Sequence, residues 1–340
     1  MVLIGGIENM CARCTWLRVA TALLGVVLTL VMSKPSLADE GGAAMYLSGA
    51  NGSLAAVPGE PGLSVVYVYY HQKASFGLPS VGYTSERSDV GYAVPSYAFA
   101  TPVLGGQLSL GVASWFGKSS ASIAGTLTAT VGPFAATRSG LLADSLTSYG
   151  DVVPTATLRW NQGVNNYMVY VTGDIPAGDY DPARLANLGI GHGTIDAGGA
   201  YTYLNPASGN EFSATAGFTY NFKNPDTQYR NGIDFHFDWG AAHFVSKQVF
   251  IGVAGYAYQQ ITDDSGQNPL LGGFRSSVLG VGPQIGYIFP LGDMQGFLGL
   301  RAYGDFDAAN RAPGWSTWLT FAVSPAEPAV AKPVRQMFTK

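Results

Sequence analysis

The segment GIDFHFDWGAAHF, residues 232–244, alternates strictly: Ile233, Phe235, Phe237 and Trp239 share one parity, and Asp234, His236 and Asp238 share the other. Successive side chains of a strand point to opposite faces, so the segment predicts a β-strand with one apolar and one ionisable wall. In NEFSATAGFTYNFK, residues 210–223, Phe212, Ala214, Ala216, Phe218, Tyr220 and Phe222 oppose Glu211, Ser213, Thr215, Thr219 and Asn221. SASIAGTLTATV (120–131), PTATLRW (154–160) and GFLGLRAYGDF (296–306) repeat the pattern, the last with Leu298, Leu300 and Phe306 opposite Arg301, Tyr303 and Asp305.

Further segments of this kind cover 63–73, 89–102, 107–117, 166–172, 194–204, 247–260, 276–289 and 315–324, which makes thirteen, separated by Gly, Asn, Pro and Asp punctuation. Single-chain bacterial barrels have even strand numbers, so the expectation is about twelve strands, with fourteen as the alternative. Aromatic residues recur near segment ends (Trp115, Phe116, Trp160, Phe222, Trp239, Phe289, Trp315), as interfacial girdles require.

Composition decides which wall faces inward. Charged residues are only 12% of the 340, about half of the roughly 25% usual in soluble domains. Beyond the first forty residues no apolar run approaches the ~20 a membrane helix needs. Apolar content spread in alternation predicts an all-β chain: a transmembrane antiparallel β-barrel with oily side chains toward lipid. Its lumen then collects Arg159, Asp196, Glu211, Asp234, His236, Asp238, Arg301, Tyr303 and Asp305, among Ser, Thr and Asn. Opposed Arg and Asp sets across a narrow passage would create a field that orients solutes.

The chain opens with Arg13 and Arg18, the apolar run 19–32, and small residues ending at Ala38, the signature of a cleaved signal peptide over residues 1–38, with Met10 as an alternative start. Both cysteines, Cys11 and Cys14, lie in this leader, so the mature chain is expected to carry neither thiol nor disulfide. Without the leader there are 15 basic against 21 acidic residues, a net of −6, which argues against nucleic acid as a partner. Residues 39–62 form an N-terminal segment placed to restrict the lumen, 63–325 the barrel, and 326–340 a Pro-containing flexible tail.

TGDIPAGDYDPARLANLGIGHG, residues 172–193, reads as a connection with a short helix, Asp181 as its N-cap, Pro182 at its first position and Gly189 past its end. It is either a loop folded into the mouth or an ordinary surface loop. Tyr256, Tyr258 and Tyr303 are candidates for an aromatic pocket near the mouth, with girdle positions as the alternative.

Asp234, His236 and Asp238 stand about 7 Å apart on one face, too far for three ligands of one strand to enclose a small ion, so no metal or cofactor is expected. A barrel hydrolase would require a serine beside one of His71, His192, His236 or His243, and none of them lies near a GxSxG-type nucleophile. GIGHG and LGVGPQIG lack phosphate-loop spacing. No catalytic residue is assigned.

The ordered motifs PAGDYDPARLANLG, TYLNPASGNEFSATAGFTYNFKNPDTQYRNGIDFHFDWG, GYAYQQITDDSG, GPQIGY and RAYGDFDAANR resemble the outer-membrane protein family named for the meta-cleavage pathway of phenol degradation. The resemblance covers about residues 42–325 and is strongest over 172–312. It implies a barrel in the bacterial outer membrane, in contact with its lipid and folded by barrel assembly machinery, that passes small hydrophobic or aromatic solutes inward. A structural or surface barrel without transport, and a barrel hydrolase, are the alternatives. The chain departs from the family pattern in the tail after Pro325, leaving either Phe321 and Val323 or Phe338 as the terminal signal for assembly.

Overall fold

The computed structural model describes residues 45–78, 82–131, 134–266 and 275–326. The expected leader and almost all of the expected tail lie outside them. Period-two alternation is realised as twelve strands: β1 (Gly62–Leu78), β2 (Gly82–Ala98), β3 (Gln107–Val131), β4 (Phe134–Gln162), β5 (Asn165–Asp174), β6 (Thr194–Asn205), β7 (Asn210–Asn221), β8 (Asp234–Phe244), β9 (Val249–Gln260), β10 (Ser277–Leu291), β11 (Met294–Ala309) and β12 (Gly314–Pro325). Each pairs antiparallel with the next, and β1 closes on β12 from Val65 opposite Val323 to Ala74 opposite Gly314, giving a closed barrel.

The thirteenth segment was an artefact of splitting β3. Gly117, Lys118 and Ser119 have turn-like composition, yet they pair continuously with Val90, Asp89 and Ser88 of β2 on one side and with Ser148, Thr147 and Leu146 of β4 on the other. β2 begins at Gly82 rather than near 89, and residues 134–153, which lacked a clear period, form the upper part of β4. At 25 and 29 residues, β3 and β4 far exceed the ~10 that cross a bilayer. Their hairpin therefore extends well past the lipid.

Parity resolves as the composition required. Asp234, His236 and Asp238 are buried while Phe235, Phe237 and Trp239 are partly exposed. Phe212, Phe218, Tyr220 and Phe222 are among the exposed large apolar side chains, with Glu211, Ser213, Thr215 and Thr219 buried behind them. An apolar exterior around a polar interior inverts the soluble arrangement and matches a lipid-facing wall.

Two details depart from the expected pattern. Trp115 is not a girdle residue: it points inward and donates from Nε1 to the Leu188 carbonyl at 3.0 Å. Gly150 makes this possible, since a Cβ there would fall 1.6 Å from the Trp115 Nε1. The register shift beside it, where Ser114 pairs with Val152 but Phe116 with Tyr149, puts an extra residue in β4 and aims Asp151 inward.

The helix expected in the β5–β6 connection is also absent. Asp181 does accept the Ala183 N–H at 2.8 Å, and one turn closes from Arg184 N–H to the Asp181 carbonyl. The following donors are then taken elsewhere. Ala186 N–H and the Arg184 guanidinium bind Asp144, and the Leu188 and Gly189 N–H groups bind the Asp179 carbonyl. Tertiary acceptors outcompete propagation of the helix.

The chain termini of the barrel and its tight connections 163–164, 206–209, 245–248 and 292–293 lie at one end. The longer connections 175–193 and 222–233, and residues 261–266 after β9, lie at the other, the arrangement of periplasmic turns and extracellular loops.

Candidate functional site

Residues 46–56 bond to inward side chains of five strands, and four of the nine sequence-predicted lumen residues, Glu211, Asp238, Arg301 and Tyr303, are among their partners. Asp238 accepts the Tyr46 O–H at 2.6 Å and the N–H groups of Gly49 and Asn51 at 3.0 and 2.9 Å. Glu211 accepts the Leu54 N–H at 2.9 Å, and the Thr202 hydroxyl accepts that of Ala56 at 3.0 Å. From β11, Arg301 donates to the Ala50 carbonyl at 2.9 Å and the Tyr303 O–H to that of Gly49 at 3.2 Å. The Gln284 amide of β10 donates to Ser53 Oγ at 2.8 Å.

Peptide 49–51 is thus clamped between a carboxylate that takes its N–H groups and a guanidinium that holds a carbonyl. Gly49 is needed here twice over. Its φ is +83°, and a Cβ would stand 2.8 Å from the Tyr303 ring. Where free Arg and Asp sets were expected to face each other across water, Asp238, Glu211 and Arg301 are instead bound to a segment of the chain itself.

Above this segment Asp196, His236 and Thr219 form a fully buried group. The His236 Nε2 lies 2.9 Å from Asp196 Oδ2, the Thr219 hydroxyl donates to the same oxygen at 2.5 Å, and the Tyr46 ring stacks on the imidazole at 3.4 Å and 14°. Asp234, also buried, accepts from the Asn221 amide at 2.8 Å. Asp305 accepts from the Tyr256 hydroxyl and from the Gly314 N–H at 3.0 Å. Arg159 lies lower, on β4, donating to the Thr157 hydroxyl at 2.6 Å. It meets none of the others.

The opposite wall is aromatic. Tyr70 of β1, Tyr92 of β2, Trp115 of β3, Tyr256 and Tyr258 of β9, Tyr303 of β11 and Trp318 of β12 form one cluster with Leu188 from the β5–β6 connection. Tyr70 and Trp318 ring centroids are 4.5 Å apart, Tyr92 and Trp115 5.6 Å, and Tyr256 and Tyr303 5.2 Å edge to face. The Arg301 guanidinium lies over the Trp318 ring and that of Arg311 over Tyr258. Tyr256, Tyr258 and Tyr303 therefore belong to an interior cluster and not to a girdle. Tyr70, Tyr92 and Trp318 were missed; Tyr92 and Trp318 stand as aromatic residues on the more polar parity of their strands, whereas Tyr70 shares its side of β1 with Val66 and Val68 and gives no such signal.

Two histidines have carboxylate neighbours, His236 with Asp196 and His71 with Asp89 at 2.6 Å. Neither bonds to a serine hydroxyl among the described residues. Also among the described residues, no group of three or more His, Cys, Asp or Glu side chains has the geometry to hold a metal ion.

The family described as "MetA-pathway of phenol degradation" matches residues 75–321 of this chain. No curated protein matches the sequence. An outer membrane channel from Pseudomonas putida has a similar structure, with a TM-score of 0.61 at 13% identity, covering 78% of this chain and 97% of that one. A FadL homologue from Pseudomonas aeruginosa aligns with a TM-score of 0.41 at 10% identity, over 85% of this chain and 97% of that one.

Proposed function

The chain belongs to the family of the MetA-pathway of phenol degradation, and from that premise we propose that it is an outer-membrane channel for the passive uptake of small hydrophobic or aromatic compounds. The observation that carries this reading is the inward aromatic cluster of Tyr70, Tyr92, Trp115, Tyr256 and Trp318 beside the mouth formed by the long connections. A general pore for polar solutes has no use for such a wall, whereas an apolar ring leaving water gains ~25 cal/mol for each Å² it buries there, and stacking adds to it.

Residues 46–56 act in this reading as the floor. They hold the lower lumen shut by the bonds to Asp238, Glu211, Thr202, Arg301 and Tyr303. A solute collects on the aromatic wall and passes when the floor shifts. The bonds are individually modest, about 0.5–1.5 kcal/mol net for neutral partners and more for charged ones, so displacement in steps is accessible. The proposed lumen residues thus divide by role: Glu211, Asp238 and Arg301 hold the floor, Tyr303 joins it to the aromatic wall, and Asp196, Asp234, His236 and Asp305 stiffen the barrel interior. The reading assigns no catalytic step.

The test is uptake of a labelled monoaromatic compound by a deletion strain, with and without the restored chain, together with swelling of liposomes that hold the purified barrel. Faster uptake with the barrel is expected. Rates equal to the control in both assays would leave a structural barrel without transport.

A further inference from the structure

The outer wall carries a polar cluster that the channel reading does not use. Across β12, β1, β2, β3 and β4 the outward residues form rows set by the register. One row is Leu319, Tyr69, Gly91, Phe116 and Tyr149; the next is Thr317, His71, Asp89, Lys118 and Thr147; the next is Trp315, Lys73, Arg87, Ser120 and Ser145. The first of these rows is apolar, and charged side chains enter directly above it, beside the exposed Trp315, on the end that bears the long connections; higher on the same face Tyr83 and Leu141 are exposed again.

Asp89 organises the cluster. It accepts from the Tyr69 hydroxyl at 2.8 Å and from Arg87 Nε at 2.7 Å, with His71 Nδ1 at 2.6 Å. Lys73 stands directly opposite Arg87, a like-charge pair that costs stability unless an anion lies between them. Lys73 and Lys118 have no ion-pair partner among the described residues, and the Arg87 side chain remains 59% exposed. Above Arg87 and Lys118 is a shallow hollow of about 520 Å³ lined mainly by small side chains, among them Ser85, Ser120, Ser122 and Ser145, and also by the Asp144 carboxylate, which is paired with Arg184.

We propose that Lys73, Arg87 and Lys118 bind the phosphorylated sugar headgroup of an outer-leaflet glycolipid, its acyl chains lying on Tyr69, Phe116, Tyr149 and Leu319. Three observations converge on this occupant. The excess cations call for an anion; the serine-lined hollow offers hydroxyl partners to a sugar; and the apolar row immediately below continues into the lipid-facing wall, which a soluble anion would leave unused. The inference rests on the outer-membrane orientation and not on transport, since none of these side chains faces the lumen.

Native mass spectrometry of the full chain in detergent tests it, with a bis-phosphorylated acylated diglucosamine as probe against the same lipid lacking phosphate, phosphatidylglycerol, and inorganic phosphate. The phosphorylated glycolipid is expected to stay bound, and the double variant Lys73→Gln, Lys118→Gln to weaken it by roughly tenfold or more. Both lysines are exposed, so folding, read from heat-modifiable gel mobility, is expected to be unaffected; the two single variants give the same reading if it is not. Equal retention of the dephosphorylated lipid or of phosphatidylglycerol, equal binding of inorganic phosphate alone, or no effect of the variants would overturn the proposal. None of these outcomes bears on uptake, so the two readings fail separately.

Discussion

Asp238 shows how a single side chain ties a distant segment of the chain to one strand's inner face. Its parity was legible from GIDFHFDWG, but its partners were not, because Tyr46, Gly49 and Asn51 lie nearly two hundred residues away in a segment without period. Replacing Asp238 with Ala removes the acceptor for two backbone donors and a phenol. Each donor left buried without a partner costs about 1–3 kcal/mol, so a lower thermal midpoint is expected together with longer open events in planar bilayers. Unaltered conductance would detach the segment from gating. Orientation is testable at Val253, which is exposed in the middle of β9. Val253→Arg should cost about 2–4 kcal/mol in lipid vesicles, as charge at the bilayer midplane does, and a neutral effect would place that wall in water.

At the scale of elements, β5 to β12 could be read from the chain because most of each strand keeps one period, and most of their connections carry Gly, Asn or Asp; the irregularity between β10 and β11, where Ser277 pairs with Ala309 but Leu279 with Phe306, falls at the strand ends. β3 and β4 could not, since Gly117, Lys118 and Ser119 carry turn composition into a strand whose pairing comes from its neighbours, and the bulge at Gly150 and Asp151 breaks the parity on which such reading depends. The aromatic cluster was only partly visible for the same reason: Tyr70, Tyr92 and Trp318 become one surface only through the β12–β1–β2 register. The connections hold each other as well. Asp264, after β9, accepts from Tyr229 and Gln260 side chains and from the Gly232 N–H at 2.9 Å. Burial pushes its carboxyl pKa up against these bonds. A raised folded pKa means that the folded state holds the proton more tightly, so the buried arrangement around Asp264 is most stable below the carboxyl's ordinary value and loses that stability as pH rises through the raised one. Amide exchange at Gly232, corrected for its intrinsic pH dependence, is expected to slow from neutral to mildly acidic pH, and Asp264→Asn to flatten the response. A variant that keeps the full dependence would assign it to another group.

The whole molecule is a barrel with an apolar exterior, a polar wall on β6 to β8 that holds the N-terminal segment, and an aromatic wall built mainly from β1 to β3, β9, β11 and β12. Removing residues 45–57 should therefore leave the strands intact and raise conductance. The proposed uptake route runs over the aromatic wall. The most direct measurement is the initial uptake rate of a labelled monoaromatic compound in a deletion strain that carries either the wild-type chain or the Tyr92→Ala, Trp318→Ala variant at equal outer-membrane abundance. The account predicts that the variant falls to the rate of the empty strain; a variant that takes up the compound as fast as the wild type would contradict it.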